Sequence, residues 1–227
     1  MKNKIIVALD SSNLENSIKL VRELKKYAFA FKIGYEFFYN FGNHGYNLVR
    51  NEKVKIFLDL KLYDIPNTIK NAVAALTKLE PYFLTIHISG GDDMLKKANL
   101  SKKDIKILGV SILTSIEPDT AKKFYFNPDI KNIVFNFSNY AVENNLDGIV
   151  CSPNEIQQIK KNTKNKLLII TPGIRPLDFK VHNDDQARTM TPKEAIMAGA
   201  DYLVIGRPIT QSNNPLQTLQ TINFSLE

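Results

Sequence analysis

The feature that most constrains this chain is a series of short apolar runs that alternate with segments of helical periodicity. The eight strand-like runs are Lys4–Asp10, Phe29–Gly34, Val54–Leu60, Phe83–Ile88, Ile105–Leu113, Gly148–Cys151, Leu167–Thr171 and Tyr202–Gly206. The helical patterns between them include Leu14–Lys26, Ile65–Leu79, Asn154–Lys161 and Pro192–Ala198. This alternation indicates a parallel sheet, and eight strands predict a closed (β/α)8 barrel, the TIM-barrel fold. We expect residues 1–227 to form one such α/β catalytic domain.

The main alternative is an open, doubly wound sheet. No Gly-x-Gly-x-x-Gly motif follows the first strand-like run, where such a sheet would bind a dinucleotide. The chain of 227 residues is slightly shorter than the roughly 250 residues typical of the barrel but lies within its range. The stretch Glu117–Asn145 has helical character without a clear place in the alternation.

The sequence disfavours several classes of protein. No apolar stretch approaches the roughly 18 residues that a membrane-spanning helix needs, and the N-terminus runs straight into a strand, which predicts no signal peptide. The lone cysteine, Cys151, cannot form an internal disulfide, and this favours a reducing, cytoplasmic compartment. The three histidines, His44, His87 and His182, are too scattered to indicate a metal site.

The formal net charge of +7 leaves nucleic-acid binding open as an alternative function. However, the positive charges are spread along the chain, without a dense basic run or interleaved aromatic residues. A solvated, lysine-rich surface accounts for the charge and would weakly steer an anionic small molecule. We therefore expect a small-molecule substrate, with neither nucleic acid nor membrane as a partner.

Strand parity predicts where charged side chains meet, because alternate residues of a strand share a face. In the first run, the face that carries charge consists of Ile6, Ala8 and Asp10. In the second run it consists of Ala30, Lys32 and Gly34, and Phe29, Phe31 and Ile33 lie on the opposite face. In the third run it consists of Phe57, Asp59 and Lys61. On an extended strand, Asp59 and Lys61 would project from one face about 6.6 Å apart.

The charged members of these faces, Asp10, Lys32, Asp59 and Lys61, all lie at the C-terminal ends of their strands, and Asp64 follows in the next loop. Barrel enzymes place their active sites at that end. A surface ion-pair cluster is the alternative interpretation, but a strand as apolar as this one should be covered by helices, and buried charge is costly unless it is paired. We predict an active site at this mouth of the barrel.

The last third of the chain predicts an anion site. The seventh run ends in a loop containing Arg175, and a long polar segment with Gln186 and Arg188 follows; a loop of that length is usually functional, often a lid. The eighth run ends at Gly206 and Arg207, where a glycine admits a ligand to the backbone and a guanidinium grips phosphate by two hydrogen bonds. Loops after strands seven and eight commonly bind phosphate in this architecture, which favours a phosphorylated substrate.

Five motifs in this sequence together resemble the orotidine 5'-phosphate decarboxylase family. They are Ala-Leu-Asp, Phe-Lys-Ile-Gly, Asp-x-Lys-x-x-Asp-Ile-Pro-Asn-Thr, Thr-Pro-Gly-Ile-Arg-Pro and Ile-Gly-Arg-Pro, and the match runs from Ala8 to Gln211. The resemblance implies conversion of orotidine 5'-phosphate to uridine 5'-phosphate (UMP) and carbon dioxide without a metal or organic cofactor, the last step of de novo pyrimidine synthesis. The alternative is a metal-dependent sugar-phosphate decarboxylase or aldolase of the same barrel suprafamily, which shares the Asp-x-Lys-x-x-Asp core.

The resemblance also implies roles for the charged residues at the mouth. Lys61 corresponds to the family's proton donor, and Asp59 to the acid that lies beside the substrate carboxylate. Lys32 corresponds to the lysine that links this array to the ribose, which Asp10 also binds. Asp64 and Thr68 would reach across a homodimer interface into the neighbouring site.

The remaining binding positions implied by the resemblance are Thr114 for the pyrimidine, Arg175 in the preceding loop, and Gln186, Gly206 and Arg207 for the phosphate. One departure is that Asp184 stands where related sequences often have glycine in Gly-Asp-Gln, which adds a negative charge near the phosphate. His87 shares a face with Thr85 and Ser89, so it would either line the mouth or be a hydrogen-bonded structural histidine.

Overall fold

Eight parallel strands close into one barrel in the part of the chain that the structure describes. The structure is a computed structural model that describes residues 3–116, 118–124, 129–176 and 189–226. The strands are β1 (Ile5–Ala8), β2 (Ala30–Ile33), β3 (Ile56–Leu62), β4 (Phe83–His87), β5 (Lys106–Val110), β6 (Gly148–Val150), β7 (Leu168–Thr171) and β8 (Tyr202–Ile205). Each pairs in parallel with the next, and β8 pairs with β1. The predicted (β/α)8 barrel is confirmed, and the open sheet is wrong.

Helices alternate with the strands along the chain and pack on the outside of the barrel. Within the described residues they are α1 (Leu14–Leu24), α2 (Tyr35–Asn51), α3 (Pro66–Leu76), α4 (Asp92–Ser101), α5 (Pro118–Phe124), α6 (Ile130–Glu143), α7 (Ile156–Thr163), α8 (Pro192–Ala198), α9 (Arg207–Thr210) and α10 (Pro215–Ser225). Short 3-10 helices occupy Thr77–Leu79, Ile88–Gly90 and Pro153–Glu155. None of the helices in the described ranges combines the length and the apolarity that crossing a bilayer requires.

The predicted helices agree with the structure where the sequence has clear boundaries. Helix α8 has the predicted bounds, since Thr191 and Glu194 form a capping box before Pro192, and Gly199 follows with φ 112°. Helix α2 has no predicted bounds, because its Gly, Asn and aromatic residues have low helix propensity. Helices α4, α9 and α10 have no predicted bounds either, while the unassigned stretch after residue 117 contains α5 and α6.

Alternate strand residues divide the apolar side chains into two cores. The cluster inside the barrel comprises Ile6, Ala8, Ala30, Phe57, Phe83, Leu108, Ile170 and Val204. Their strand neighbours, such as Ile5 and Val7, belong instead to a larger cluster shared with the helices. Cys151 is buried in that larger cluster. The strands are thus apolar on both faces, as expected of a parallel sheet covered by helices.

Aromatic rings fill the N-terminal end of the barrel. The ring of Phe29 stacks on Tyr202 at a centroid distance of 4.0 Å and meets Tyr82 edge-on at 5.5 Å. The ammonium of Lys55 lies 4.3 Å from the centroid of Phe29. The prediction that Phe29 lies opposite Ala30 is therefore wrong, because Phe29 precedes β2 and packs against the interior cluster. Apolar packing at this end leaves the charged residues at the C-terminal end.

Candidate active site

Four charged side chains form an alternating row at the C-terminal mouth of the barrel. The Nζ of Lys32 lies 3.0 Å from Asp10 Oδ1 and 3.7 Å from Asp59 Oδ2. The Nζ of Lys61 lies 2.9 Å from the same Asp59 Oδ2. The row therefore runs Asp10, Lys32, Asp59, Lys61, with each charge next to one of opposite sign. The structure brings together the four residues that strand parity placed on one mouth.

The side chains at the two ends of the row are more exposed to solvent than the two between them. The side chain of Asp10 is 53% exposed, and that of Lys61 is 26% exposed. The side chains between them are largely covered, at 12% exposed for Lys32 and 11% for Asp59. Two lysines thus compensate one buried carboxylate, and the two ends of the row border different clefts, Lys61 one and Asp10 another.

Pairing keeps the buried members of the row ionised. Burial raises the pKa of Asp59, but the charges of Lys32 and Lys61 and the hydrogen bonds from Lys61 and Thr85 outweigh it, so the pKa is lowered overall. Burial lowers the pKa of Lys32, but Asp59 and Asp10 outweigh it in the same way, so that pKa is raised overall. Both groups therefore carry their charge at neutral pH.

Lys61 lies in a bulge of β3 rather than in regular extended backbone. Leu58 pairs with Leu84 and Leu62 pairs with Ile86, so β3 has two more residues than β4 between these pairs. Lys61 itself has φ 41°, a left-handed conformation that is unfavourable for a side-chain-bearing residue. The prediction of a regular strand through Asp59 and Lys61 is wrong, and their head groups meet because the bulge turns Lys61 towards Asp59.

Thr85 of β4 contacts this bulge. The backbone N–H of Lys61 donates to Thr85 Oγ1 at 2.8 Å, and the Thr85 hydroxyl donates to Asp59 Oδ1 at 2.9 Å. Sequence reasoning noticed Thr85 only as a neighbour of His87. A threonine is a common strand residue, so the signal that marks it, its place opposite the bulge, appears only in the structure.

Gly34, at the end of β2, leaves room for the Lys32 ammonium. A Cβ at this position would lie 2.9 Å from Lys32 Nζ and 3.4 Å from Asp10 Oδ1. Any larger residue would therefore have to displace the ammonium from its two carboxylates. This steric requirement explains the glycine of the Phe-Lys-Ile-Gly motif.

Asp64 and Thr68 lie apart from the row. Both are exposed, and Asp64 Oδ1 accepts a hydrogen bond of 2.7 Å from the backbone N–H of Ile65. Within the described residues, the ion pair of Lys61 is formed with Asp59, and none joins Lys61 to Asp64. Tyr63 and Ile65, which flank Asp64, are 61% and 67% exposed. A single chain therefore leaves this acid and its apolar neighbours in solvent.

The positions predicted to bind phosphate lie after β7 and β8. Arg175 follows β7, where its backbone N–H donates to the carbonyl of Met190 at 3.0 Å. Gly206 follows β8 and precedes Arg207, the first residue of α9, and both are half-buried. Gln186, like Asp184 and Arg188, lies outside the described residues.

A cleft of about 530 Å³ opens beside the row. Lys61, Tyr35, Tyr63 and His87 contribute to its wall, and Leu113, which precedes the half-buried Thr114, contributes as well. His87 is half-buried, and burial together with the charge of Lys61 lowers its pKa. His87 therefore lines the mouth, the first of its two predicted alternatives.

Among the described residues, no group of three or more His, Cys, Asp or Glu side chains is arranged to hold a metal ion. The charged row instead offers two ammonium groups to an anionic ligand. An ammonium that is held in place next to a binding cleft can stabilise negative charge as it develops and can deliver a proton.

The pairing of Asp59 predicts an unusual titration. Its 13C carboxyl resonance should titrate below 3.8, the ordinary pKa of aspartate. Because the folded-state pKa is lowered, Asp59 stabilises the fold above its unfolded pKa, and this stabilisation is lost as pH falls through the folded value. Lys61→Met should raise the pKa of Asp59, whereas Lys193→Met on exposed α8 should not change it. A pKa at or above 3.8 in the unmutated protein would contradict the pairing.

Comparison with known proteins assigns the chain to a family. Residues 3–222 match the family described as Orotidine 5'-phosphate decarboxylase / HUMPS family. Orotidine 5'-phosphate decarboxylase of Wolbachia pipientis subsp. Culex pipiens is 43% identical over 226 residues, with 99% of both chains covered. The enzyme of Wigglesworthia glossinidia brevipalpis is 43% identical over 223 residues, which cover 96% of this chain and 95% of that protein.

A solved structure has the same fold. The crystal structure of orotidine 5'-phosphate decarboxylase from Lactobacillus acidophilus superposes with a TM-score of 0.85 at 33% identity and covers 99% of each chain. The match extends over the whole barrel and includes the strands that carry the charged row. This chain belongs to the orotidine 5'-phosphate decarboxylase / HUMPS family.

Proposed function

We propose that this chain decarboxylates orotidine 5'-phosphate to uridine 5'-phosphate and carbon dioxide, the last step of UMP synthesis. The observation that carries the proposal is the row Asp10, Lys32, Asp59 and Lys61 at the barrel mouth, in a chain whose relatives bear that enzyme's name. The row supplies the two things this chemistry needs, a fixed positive charge and a proton. No organic cofactor or metal is part of the proposed mechanism.

The difficulty of the reaction lies in the carbanion. When the bond between the pyrimidine ring and its carboxylate breaks, the electron pair stays on the ring carbon, in the ring plane, where resonance barely helps. Lys61 Nζ, which Asp59 holds at 2.9 Å, would stabilise this charge and transfer a proton to the carbon. Carbon dioxide leaves as a neutral molecule, and Lys61 regains its proton from solvent.

Asp59 has two roles in this scheme. It keeps the ammonium of Lys61 in place, and it lies beside the carboxylate that the substrate will lose. Asp10 aside, which would bind the ribose, the charges of Lys32, Asp59, Lys61 and the partner's Asp64 would sum to zero, and the substrate carboxylate would add one unmatched negative charge. As neutral carbon dioxide leaves, that negative charge passes to the ring carbon, beside the ammonium of Lys61. The proton from Lys61 then neutralises the carbon, and the array returns to zero charge when Lys61 takes up a proton from solvent.

The phosphate end of the substrate would lie beyond the Asp10 end of the row, because a Cβ at Gly206 would be 3.7 Å from Asp10 Oδ2. We assign Gly206, Arg207 and Gln186 to the phosphate, Arg175 to the loop beside them, and Thr114 to the pyrimidine. A guanidinium binds a phosphate through charge-assisted hydrogen bonds, and Gly206 lets the phosphate approach the backbone beside it. Binding energy gained at this distant end can be used to order the site around the reacting carbon.

We further propose that the enzyme is a cytoplasmic homodimer in which Asp64 and Thr68 enter the partner's site. The exposure of Asp64, Tyr63 and Ile65 supports this arrangement, since a partner chain would cover the two apolar side chains. The carboxylate would then flank Lys61 from the side opposite Asp59.

A spectrophotometric assay tests the proposed activity. Purified protein in excess chelator should remove the ultraviolet absorbance of orotidine 5'-phosphate and release one carbon dioxide for each molecule consumed. Lys61→Ala should lose this turnover completely, while its Kd for uridine 5'-phosphate should change little, because Lys61 acts on the reacting carbon.

Two results of that assay would refute the proposal. Turnover that requires an added divalent metal, or a sugar phosphate instead of the nucleotide, would favour the metal-dependent alternative. Normal turnover by Lys61→Ala would remove its role as the proton donor.

Arg207→Ala should raise KM for orotidine 5'-phosphate by roughly 10- to 100-fold, the scale expected for losing hydrogen bonds to a charged group. Its turnover of the nucleoside orotidine, which has no phosphate, should equal that of the unmutated enzyme. Arg22→Ala is the matched control, because Arg22 lies on the exposed face of α1 and pairs with Glu52. An unchanged KM for Arg207→Ala would contradict the phosphate assignment.

Mixing two inactive variants tests the shared site. In a dimer of one Lys61→Ala chain and one Asp64→Ala chain, one site keeps both residues and the other has neither. Random association makes half the dimers mixed, so about one quarter of the unmutated turnover per chain should return. Native mass spectrometry would establish the fraction of mixed dimers. If mixed dimers form but remain inactive, Asp64 does not act in the partner's site.

A further inference from the structure

Thr85 is a polar side chain in the apolar interior of the barrel. It is fully buried, and it lies on β4 between Phe83, an interior core residue, and His87 at the mouth. A hydroxyl in such surroundings is costly unless it is hydrogen-bonded. Its partners therefore indicate why a hydroxyl is present at a position where an apolar residue would pack equally well.

Both hydrogen bonds of the Thr85 hydroxyl go to the charged row. It accepts from the Lys61 backbone N–H at 2.8 Å and donates to Asp59 Oδ1 at 2.9 Å. The other carboxylate oxygen, Asp59 Oδ2, accepts from Lys61 Nζ at 2.9 Å. These three bonds form a closed ring that holds Lys61 at both its backbone and its ammonium.

The ring also fixes which oxygen of Asp59 meets which partner. Because Thr85 binds Oδ1, the Oδ2 atom is left for Lys61 and for Lys32, whose Nζ is 3.7 Å from it. A carboxylate that could rotate would share its two oxygens among these donors in several ways. The hydroxyl removes that freedom and holds both ammonium groups on one side.

The position of Thr85 matches the bulge in β3. Thr85 is the one residue of β4 between Leu84 and Ile86, and these two pair with the residues that bracket the bulge. Lys61 in the bulge has φ 41°, a conformation that persists only where the surroundings compensate it. The bulge would leave the Lys61 N–H without a strand partner, and the threonine hydroxyl supplies the acceptor.

We propose that Thr85 is a positioning residue for the decarboxylation, whose hydroxyl holds the carboxylate of Asp59 and the left-handed backbone of Lys61 in the geometry that aims the ammonium at the substrate. The inference rests on the proposed function for its catalytic consequence. The contact itself involves no substrate, so it can be tested separately.

Thr85→Val has nearly the same shape without the hydroxyl and should lower kcat by roughly 10- to 100-fold, the range expected for losing a hydrogen bond to a charged group. KM should change by less than about threefold, since Thr85 does not reach the phosphate end. Thr85→Ser retains the hydroxyl and should restore most of kcat. Thr163→Val is the matched control, because Thr163 is equally buried in α7 and its hydroxyl donates only to Ile159 within that helix.

Hydrogen exchange of the Lys61 amide, followed by NMR, gives a readout that needs no substrate. The amide should be protected in the unmutated protein and in Thr85→Ser, and should exchange at least about tenfold faster in Thr85→Val. Should Thr85→Val fail to fold, Thr85→Ala takes its place in both measurements, because it also lacks the hydroxyl and introduces no bulk.

Several outcomes would overturn the proposal. These are a kcat for Thr85→Val within twofold of the unmutated value, an equal loss in Thr85→Ser, an effect on KM alone, or unchanged exchange at Lys61. An unmutated protein without activity towards orotidine 5'-phosphate would instead refute the proposed function. The exchange comparison would still decide whether Thr85 holds the bulge.

Discussion

A buried carboxylate between two ammonium groups is the interaction on which the rest of the site depends. Asp59 is almost fully covered, and an unpaired charge there would be strongly destabilising. Lys32 and Lys61 compensate it from two sides, and the Thr85 hydroxyl satisfies its remaining oxygen. The contacts that compensate the charge of Asp59 also fix the ammonium of Lys61 at the wall of a cleft. These contacts of Asp59 therefore both stabilise the folded protein and hold the site in position before a ligand binds.

The barrel makes this arrangement possible through strand order. Parallel strands direct all their C-terminal ends to one rim, so side chains distant in sequence become neighbours across a single strand spacing. Lys32 on β2 pairs in register with Phe57 on β3, two residues below Asp59, so its long side chain reaches upward to the carboxylate. The bulge then shortens the rise of β3, and Lys61 turns back to the same oxygen atom.

The sequence predicted those parts of the molecule that local patterns determine. Apolar runs located all eight strands, and the helical pattern Pro192–Ala198 gave the observed bounds of α8. Strand parity also placed Asp10, Lys32 and Asp59 at one mouth.

Strand parity could not predict the bulge at Lys61, because the extra residues of β3 can be recognised only from the pairing of β3 with β4. The contacts of Thr85 with Asp59 and Lys61 could not be predicted for the same reason, since a buried threonine in a strand normally indicates packing. The bounds of helix α2, which is kinked at Gly42, could not be predicted because its propensities are poor and its stability comes from packing on the barrel.

The position of Asp64 shows how far one chain can build such a site. Among the described residues of a single barrel, the carboxylate that pairs with Lys61 is Asp59, and Asp64 instead accepts a hydrogen bond from the N–H of Ile65 in its own loop. In the homodimer proposed above, a second carboxylate beside Lys61 would come from the neighbouring chain. The exposed Tyr63 and Ile65 on either side of Asp64 would then be an apolar surface for that chain to cover. Association and completion of the charged site would then be a single event, in which burying the two side chains also brings the carboxylate to Lys61.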